Sequence, residues 1–199
     1  MKIDCQIYYW GRILFRTKIS PEHLEKIRLL CKKDESLNHN EHLAGDIKHE
    51  YRIDVLRYSK IMEDYLKAFQ NAYQNFNGDP CPPFKVNQAW VNFMKAGDFN
   101  PPHVHNYCAF SSVLYTSVPE ILKQENKNYK GTLKGGGAGA ISFLNGEMVE
   151  HSRSMQTVFP EEGDFFMFPS DLTHVVWPFK SDCERISVAA NYQESDLKK

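Results

Sequence analysis

Apolar residues recur every three or four positions in the first part of the chain and in short, separated runs after it. The first pattern predicts a long amphipathic helix from about Asp54 to Asn75, and its apolar stripe is typical of a surface that packs against a sheet. Ser20, Pro21 and Glu22 are an N-cap residue, a first-turn proline and an acidic first-turn residue. A shorter helix is therefore predicted from there to about Lys33.

The short apolar runs follow Pro83 and alternate with Gly, Asn and Pro, which is the pattern of β-strands. The predicted strands cover residues 84–95, 108–117, 140–144, 156–159, 164–169, 174–177 and 185–191. Another strand, interrupted at Gly11, is predicted over residues 5–16. The polar stretch 34–52 is predicted as a loop, and 119–129 as an insertion with a short helix. The glycine-rich segment 131–139 lacks the spacing of a phosphate-binding loop, so a hairpin tip is predicted there.

These elements predict an α+β fold that is mainly β. Several short strands after a helical first third favour a double-sheet β-sandwich or jelly roll buttressed by N-terminal helices. No internal repeat or domain-length linker interrupts the pattern. We therefore expect one domain over residues 1–199, with helical support over about 1–80 and the jelly-roll core over about 84–193.

Composition excludes some classes of function and leaves others open. The formal net charge is −1, so no basic excess indicates a nucleic-acid partner. No apolar run approaches the roughly 18 residues that a membrane-spanning helix needs. Five scattered cysteines without C-x-x-C spacing are typical of free thiols in a reducing compartment, which predicts a cytoplasmic protein.

Three histidines are candidate metal ligands. His103 and His105 follow a Gly/Asn/Pro-Pro loop, and in extended backbone residues i and i+2 point to the same face. An isolated H-x-H pair is more often a polar pair beside a turn, but His174 in a later strand provides a third imidazole. Three protein ligands leave open positions for catalysis, while imidazole alone does not choose between Fe, Zn, Cu and Ni. Four of the other histidines, which are His39, His42, His49 and His151, are predicted to lie at the surface.

Arg185 lies one turn and one strand beyond His174, so it can project into the same barrel. A buried guanidinium needs an anionic partner, and a carboxylate is the usual one. Ser187 shares its strand face, and Tyr115 ends the strand that follows the histidine pair. The residues therefore predict a metal beside a pocket for an acidic small molecule. Trp90 and Asn92 share a strand face that could border a substrate, and the polar segments 34–52 and 119–137 are the expected substrate-facing loops.

Several strings resemble those of the 2-oxoglutarate/Fe(II)-dependent oxygenases, in particular the prolyl-hydroxylase-like branch found in bacteria and phages. They are H-x-H at 103–105, SSVLY at 111–115, GDFFMFPSDLTH at 163–174 and ERISVAANY at 184–192. The resemblance covers about residues 84–193 and implies a double-stranded β-helix, the cupin-like jelly roll. It implies a hydroxylating dioxygenase that uses Fe(II), 2-oxoglutarate and O2 and releases succinate and CO2.

The same resemblance implies roles for individual residues. His103 and His174 would be iron ligands, and Arg185 would anchor the C5 carboxylate of 2-oxoglutarate. Ser187 and Tyr115 would assist that anchor, and Asn191 would lie on the same inward face near the cosubstrate. The catalytic set is then His103, His105, His174 and Arg185, with Ni or Zn able to replace iron on purification.

One position departs from the family pattern. The usual motif is His-x-Asp/Glu, but His105 occupies the acidic position here. A neutral imidazole in place of a carboxylate raises the net charge of an Fe(II) site by one and tunes its affinity and redox behaviour. Either His105 is a third imidazole ligand, which we favour, or a carboxylate such as Asp98 or Asp171 coordinates or supports the metal.

The expected substrate is a small molecule or a peptide, for example a prolyl side chain, and a dimer is left open. If the gene belongs to a phage, the compartment would be the host cytoplasm. Two other classes compete: a cupin-like three-His metalloprotein that acts without 2-oxoglutarate, and a non-catalytic jelly-roll binding module. Arg185 tests the first alternative, because an outward-pointing Arg185, or one paired with a protein carboxylate, would exclude the cosubstrate. Metal analysis of protein purified without added metal separates the binding module from the metalloproteins.

Overall fold

In the computed structural model, two antiparallel sheets face each other and helices cover the outer face of the larger one. The structure describes residues 11–40, 44–127, 137–147 and 153–195. The helices are α1 (Pro21–Arg28), α2 (Val55–Asn77) and α3 (Glu120–Lys127), with a 3-10 turn at Glu35–Leu37. The strands are β1 (Phe15–Lys18), β2 (Glu50–Arg52), β3 (Phe84–Met94), β4 (Asn100–His103), β5 (Phe110–Ser117), β6 (Ile141–Leu144), β7 (Met155–Val158), β8 (Asp164–Pro169), β9 (Thr173–Val176) and β10 (Arg185–Glu194).

The six-stranded sheet has the order β1-β8-β5-β10-β3-β2, and the four-stranded sheet has the order β4-β9-β6-β7. This is the predicted double-stranded β-helix. The long strand β10 lies inside the larger sheet, between β3 and β5. Its alternate residues therefore point between the two sheets, where Arg185, Ser187, Ala189 and Asn191 share one face.

The two predicted N-terminal helices are confirmed, with the expected caps. The Ser20 hydroxyl accepts a hydrogen bond from the His23 amide, and the Asp54 carboxylate accepts one from the Arg57 amide. Gly78 ends α2 in the left-handed conformation, with φ of 82°. The first helix ends at Arg28 rather than near Lys33. The amides of Leu30 and Cys31 donate to carbonyl oxygens three residues back, so the chain continues from the helix as tighter turns.

Two apolar cores hold the layers together. One lies between the helices and the six-stranded sheet, where the fully buried Phe69 of α2 makes edge contacts with Phe110 and Phe84. The other fills the space between the two sheets and includes Phe143, Phe166 and Phe168. The first core shows why the stripe predicted on α2 is packing surface.

Strand β4 corrects the sequence interpretation, which placed Pro101 and Pro102 in a loop. The strand lies at the edge of its sheet and pairs only with β9, with a register shift between Asn100 and His103. An edge strand has a neighbouring strand on one side only. Prolines are tolerated there because no second neighbour needs the N–H groups that they lack. The segment thus holds His103 on a strand rather than on a loop.

Strand β2 is a second correction, since residues 34–52 were expected to form a loop. Its residues pair with β3, so that Glu50 lies opposite Asn92. The early strand begins at Phe15, and the part predicted over residues 5–10 lies outside the described residues, as does most of the glycine-rich segment. None of the helices in the described ranges has the length and apolar character needed to span a bilayer.

Candidate metal centre and adjoining cavities

The three candidate histidines meet at one end of the two sheets. His103, the last residue of β4, lies directly opposite His174 of β9 in the antiparallel pairing. His105 follows β4, and its amide donates a hydrogen bond to the Ser170 carbonyl oxygen at 2.9 Å, which fixes the chain beside β9. The backbone, and not only the H-x-H spacing, therefore brings the rings together.

The ring nitrogens are close enough to bind one ion. One nitrogen from each histidine lies within 4.8 Å of the others, and the Nε2 atoms of His105 and His174 are 3.3 Å apart. Two nitrogens bound at about 2.1 Å to one ion, at angles between square and tetrahedral, lie roughly 3.0–3.4 Å apart. The observed separation matches that of two ligands.

Backbone carbonyls orient two of the three rings. The Nδ1 of His103 lies 2.7 Å from the Pro101 carbonyl oxygen, and that of His174 lies 3.0 Å from the Leu172 carbonyl oxygen. Because a carbonyl oxygen only accepts, each Nδ1 carries the proton and each Nε2 keeps its lone pair. Such contacts to the non-ligating nitrogen are the usual support of metal-binding histidines.

The surroundings keep these imidazoles neutral. Burial lowers the pKa of His103, and burial together with the neighbouring His103 lowers the pKa of His105 to about 4. Burial also lowers the pKa of His174 well below its usual value. Neutral imidazole is the form that binds a metal, so no proton has to leave before an ion is bound at neutral pH.

An inner cavity of about 50 Å³ extends from the histidines towards Arg185, Tyr115 and Ser187. The Arg185 side chain is 2% exposed, and its guanidinium lies over the Tyr115 ring at 5.1 Å from the centroid. Its Nη1 donates to the Gly139 carbonyl oxygen at 2.5 Å, and its Nη2 lies 2.8 Å from the Met94 sulfur. Trp90 and Asn92, which share a strand face, also line this cavity.

Two donors in this region have no partner among the described residues. They are the Nε of Arg185 and the hydroxyl of Tyr115, both fully buried. Within the same described ranges, no carboxylate forms an ion pair with Arg185. Burial accordingly lowers the pKa of Arg185 and raises that of Tyr115 to about 12. Within the described residues, these donors therefore have no anionic partner.

An outer cavity of about 340 Å³ lies on the other side of the histidines. Its wall includes Trp90, Asn191, Tyr107 and Glu50 together with His103 and His105. Glu50 was not singled out in the sequence, although the segment that contains it was expected to face the substrate. The available signal was the alternation of Glu50, Tyr51 and Arg52, which is typical of a strand with one polar face.

Asn191 lies in this outer cavity, not in the inner one with Arg185, and accepts a hydrogen bond from the Ser111 hydroxyl at 2.7 Å. It shares a strand face with Arg185, but six residues of extended chain span about 20 Å. That length carries Asn191 past the histidines. Ser187, four residues earlier, does line the inner cavity, where the Asn92 amide lies 3.5 Å from its hydroxyl.

The two carboxylates considered as alternative ligands have other partners. Asp171 lies at the surface in a two-pronged ion pair with Arg12, with both distances at 2.7 Å. Asp98 is buried, and its carboxylate accepts a hydrogen bond from the Lys95 amide. Among the described residues, the cluster that can hold a metal contains the three histidines and neither aspartate.

His39 contradicts the prediction that the other histidines are exposed. It is 5% exposed, packs edge-on against Trp90 and accepts a hydrogen bond from Arg52. The strand β2 that covers it was not predicted, which is why its burial was missed. His49 is half-buried, and His42 and His151 lie outside the described residues.

Comparisons with known proteins agree with this geometry. A family described as "Putative 2OG-Fe(II) oxygenase" matches residues 88–191, just over half of the chain. No curated protein sequence matches significantly.

Solved structures show the same fold at low sequence identity. A prolyl-4-hydroxylase from Pseudomonas putida is 17% identical, with 92% of each chain covered and a TM-score of 0.59. The viral collagen prolyl hydroxylase of Paramecium Bursaria Chlorella virus-1 is 12% identical, with 92% of this chain and 96% of that chain covered and a TM-score of 0.58. HygX from Streptomyces hygroscopicus, solved with nickel and 2-oxoglutarate, is 11% identical, with coverage of 94% and 84% and a TM-score of 0.54.

Proposed function

We propose, since the chain belongs to the 2-oxoglutarate/Fe(II) oxygenase family, that it is an Fe(II)- and 2-oxoglutarate-dependent dioxygenase that hydroxylates its substrate. The observation that carries this proposal is Arg185. It is buried, points towards the histidines and has no carboxylate partner among the described residues. A cosubstrate with a carboxylate at each end would bridge the metal and this guanidinium.

The donor set fits the implied metal. Three neutral imidazoles, each with one ring nitrogen within 4.8 Å of the others, would hold Fe(II) and leave positions open for other ligands. Without a carboxylate ligand, the site keeps one more positive charge than the usual family site. When bound, Fe(II) and 2-oxoglutarate supply the oxidation by O2 that hydroxylates a C–H bond, with succinate and CO2 as co-products.

The other residues would position the cosubstrate and exclude water. The Arg185 fork would bind the distal carboxylate, and the hydroxyls of Tyr115 and Ser187 would donate to the same group. The burial of all three side chains removes competing water and strengthens these charge-assisted contacts. Asn191, on the far side of the histidines, would face the substrate rather than the cosubstrate.

The competing functions fit the inner cavity less well. A three-His metalloprotein without an acidic cosubstrate, or a jelly-roll module that binds no metal, would leave Arg185 and the Tyr115 hydroxyl buried without an anion. Such groups cost several kcal/mol when nothing compensates them. The substrate is proposed to be a small molecule or a peptide. Prolyl hydroxylases and HygX, whose structure has also been solved with hygromycin B, are among the chain's structural relatives.

The test is succinate formation from 2-oxoglutarate in air. We expect wild-type protein to form succinate only when Fe(II) is present, and His174→Ala to lose this activity. His23→Ala removes an imidazole from α1 and should keep it, which controls for histidine loss as such. Succinate formation that is equal in wild type and His174→Ala would contradict the proposal.

A further inference from the structure

Glu50 is a buried carboxyl group in the outer cavity that the metal centre does not use. The residue is 1% exposed, and its Oε2 has no hydrogen-bond partner within the described part of the chain. Its backbone is already fixed, because its amide donates to the Asn40 side chain and its carbonyl accepts from the His39 amide, both at 2.9 Å. The side chain is therefore not needed to hold β2 in place.

The neighbouring charges do not compensate this carboxyl. Arg52, two residues further along β2, donates instead to the His39 ring. Among the described residues that line the outer cavity, none is Lys or Arg. Burial and the nearby Asp98 raise the pKa of Glu50 to about 8. A buried acceptor without a donor lowers the stability of the folded protein. A ligand that brings a hydrogen-bond donor into the cavity would remove this cost.

Aromatic side chains border the same cavity. Trp90 is buried in its wall, and Tyr107 at its rim is 96% exposed with a backbone φ of 60°, which is uncommon for a bulky residue. Faces of Trp and Tyr attract ammonium and guanidinium groups. An acidic acceptor with aromatic neighbours is the usual recognition site of an organic cation.

We propose that Glu50 binds a cationic nitrogen group of the substrate, an ammonium or a guanidinium, and so selects amines or basic peptide side chains. The inference rests on the proposed function, because the outer cavity is the substrate's side of the histidines only if the inner cavity holds the cosubstrate. The cation enters the outer cavity past Tyr107. Its charge favours ionisation of the Glu50 carboxyl, which releases its proton to solvent, and the resulting carboxylate accepts a charge-assisted hydrogen bond from the cation.

Calorimetric binding of matched probes tests the proposal on protein loaded with Zn(II) and 2-oxoglutarate. Loading is measured first, so that failure of the metal or cosubstrate site is seen separately from failure at Glu50. One pair is N-acetyl-lysine methylamide and its Nε-acetylated analogue; the other is 1,4-diaminobutane and 1,4-butanediol. Tighter binding of the lysine derivative would indicate a peptide substrate, and tighter binding of 1,4-diaminobutane would indicate a small amine.

We expect at least one cationic probe to bind tenfold or more tightly than its neutral partner. Glu50→Gln should remove that preference, while Glu120→Gln, which removes the same charge from exposed α3, should keep it. Thermal unfolding of Glu50→Gln verifies that the variant is folded, and Glu50→Asp should retain part of the preference. Equal binding of charged and neutral probes, unchanged binding by Glu50→Gln, or no binding of either cationic probe would overturn the proposal.

Discussion

The two cavities beside the histidines contain unpaired ionisable side chains of opposite type, a base in one and an acid in the other. The inner one contains the unpaired Arg185 Nε, together with the Tyr115 hydroxyl and the Asn92 side-chain oxygen, whereas the outer one contains the unpaired Oε2 of Glu50. Unpaired buried polar groups are rare in proteins because each one costs stability. Their opposite character on the two sides of one metal centre indicates two ligands with opposite charge.

The largest expected effect is loss of the centre that both cavities share. His174→Ala removes a buried ligand, and we expect metal affinity to fall at least about 100-fold, since two imidazoles bind an ion much more weakly than three. Metal content after equilibrium dialysis against limiting Zn(II) measures the change. His23→Ala serves as the control, and retention of one ion per chain by His174→Ala would mean that the histidines do not form the site.

A smaller effect is expected from a single donor in the inner cavity. Tyr115→Phe removes the unpartnered hydroxyl without changing the packed ring, so 2-oxoglutarate affinity should fall roughly tenfold, the effect of one hydrogen bond to a charged group. Stability without ligand should not fall, because an unsatisfied buried hydroxyl is removed. Calorimetry and thermal unfolding measure the two quantities. An unchanged affinity would show that the hydroxyl does not contact the cosubstrate.

A separate effect concerns the dependence of stability, rather than of ligand binding, on pH. The pKa of Glu50 is raised from 4.5 to about 8 in the folded protein, so the folded state binds more protons than the unfolded state between these values. The contribution of Glu50 to stability therefore falls as pH rises through that window. Urea unfolding should show Glu50→Gln gaining stability relative to wild type between about pH 5 and pH 8. If the difference in unfolding free energy between Glu50→Gln and wild type does not vary with pH, the pKa of Glu50 is the same in the folded and unfolded states.

Much of the fold and the inner side of the site could be predicted from the sequence. The period of three to four residues gave α2, and the short apolar runs gave most strands, because local patterns determine both. The H-x-H pair, His174 and Arg185 could be assigned to one site from the sequence. The residues around them, on or beside predicted strands, resemble specific motifs of one protein family. Arg185 proved to be buried and inward-facing, as the cosubstrate hypothesis required.

The outer side could not be predicted to the same degree, because it depends on edge pairing and strand length. Strand β2 has only three residues, so the alternation of Glu50, Tyr51 and Arg52 is too short to predict a strand, and with it the burial of Glu50 and His39. The Pro-Pro sequence of β4 argues for a loop unless the strand is known to be at an edge. The position of Asn191 in the outer cavity follows from the length of β10, which no short motif reports.

The central claim is that Arg185 is the partner of the cosubstrate carboxylate. Its most direct test is an anaerobic titration of 2-oxoglutarate into Fe(II)-loaded protein, followed by the visible charge-transfer band. We predict a saturable band in wild type and in Arg12→Ala, a surface arginine variant, and at least a 100-fold weaker titration in Arg185→Ala with iron still bound. Saturation of Arg185→Ala at the wild-type concentration, or no band in wild type, would contradict the account.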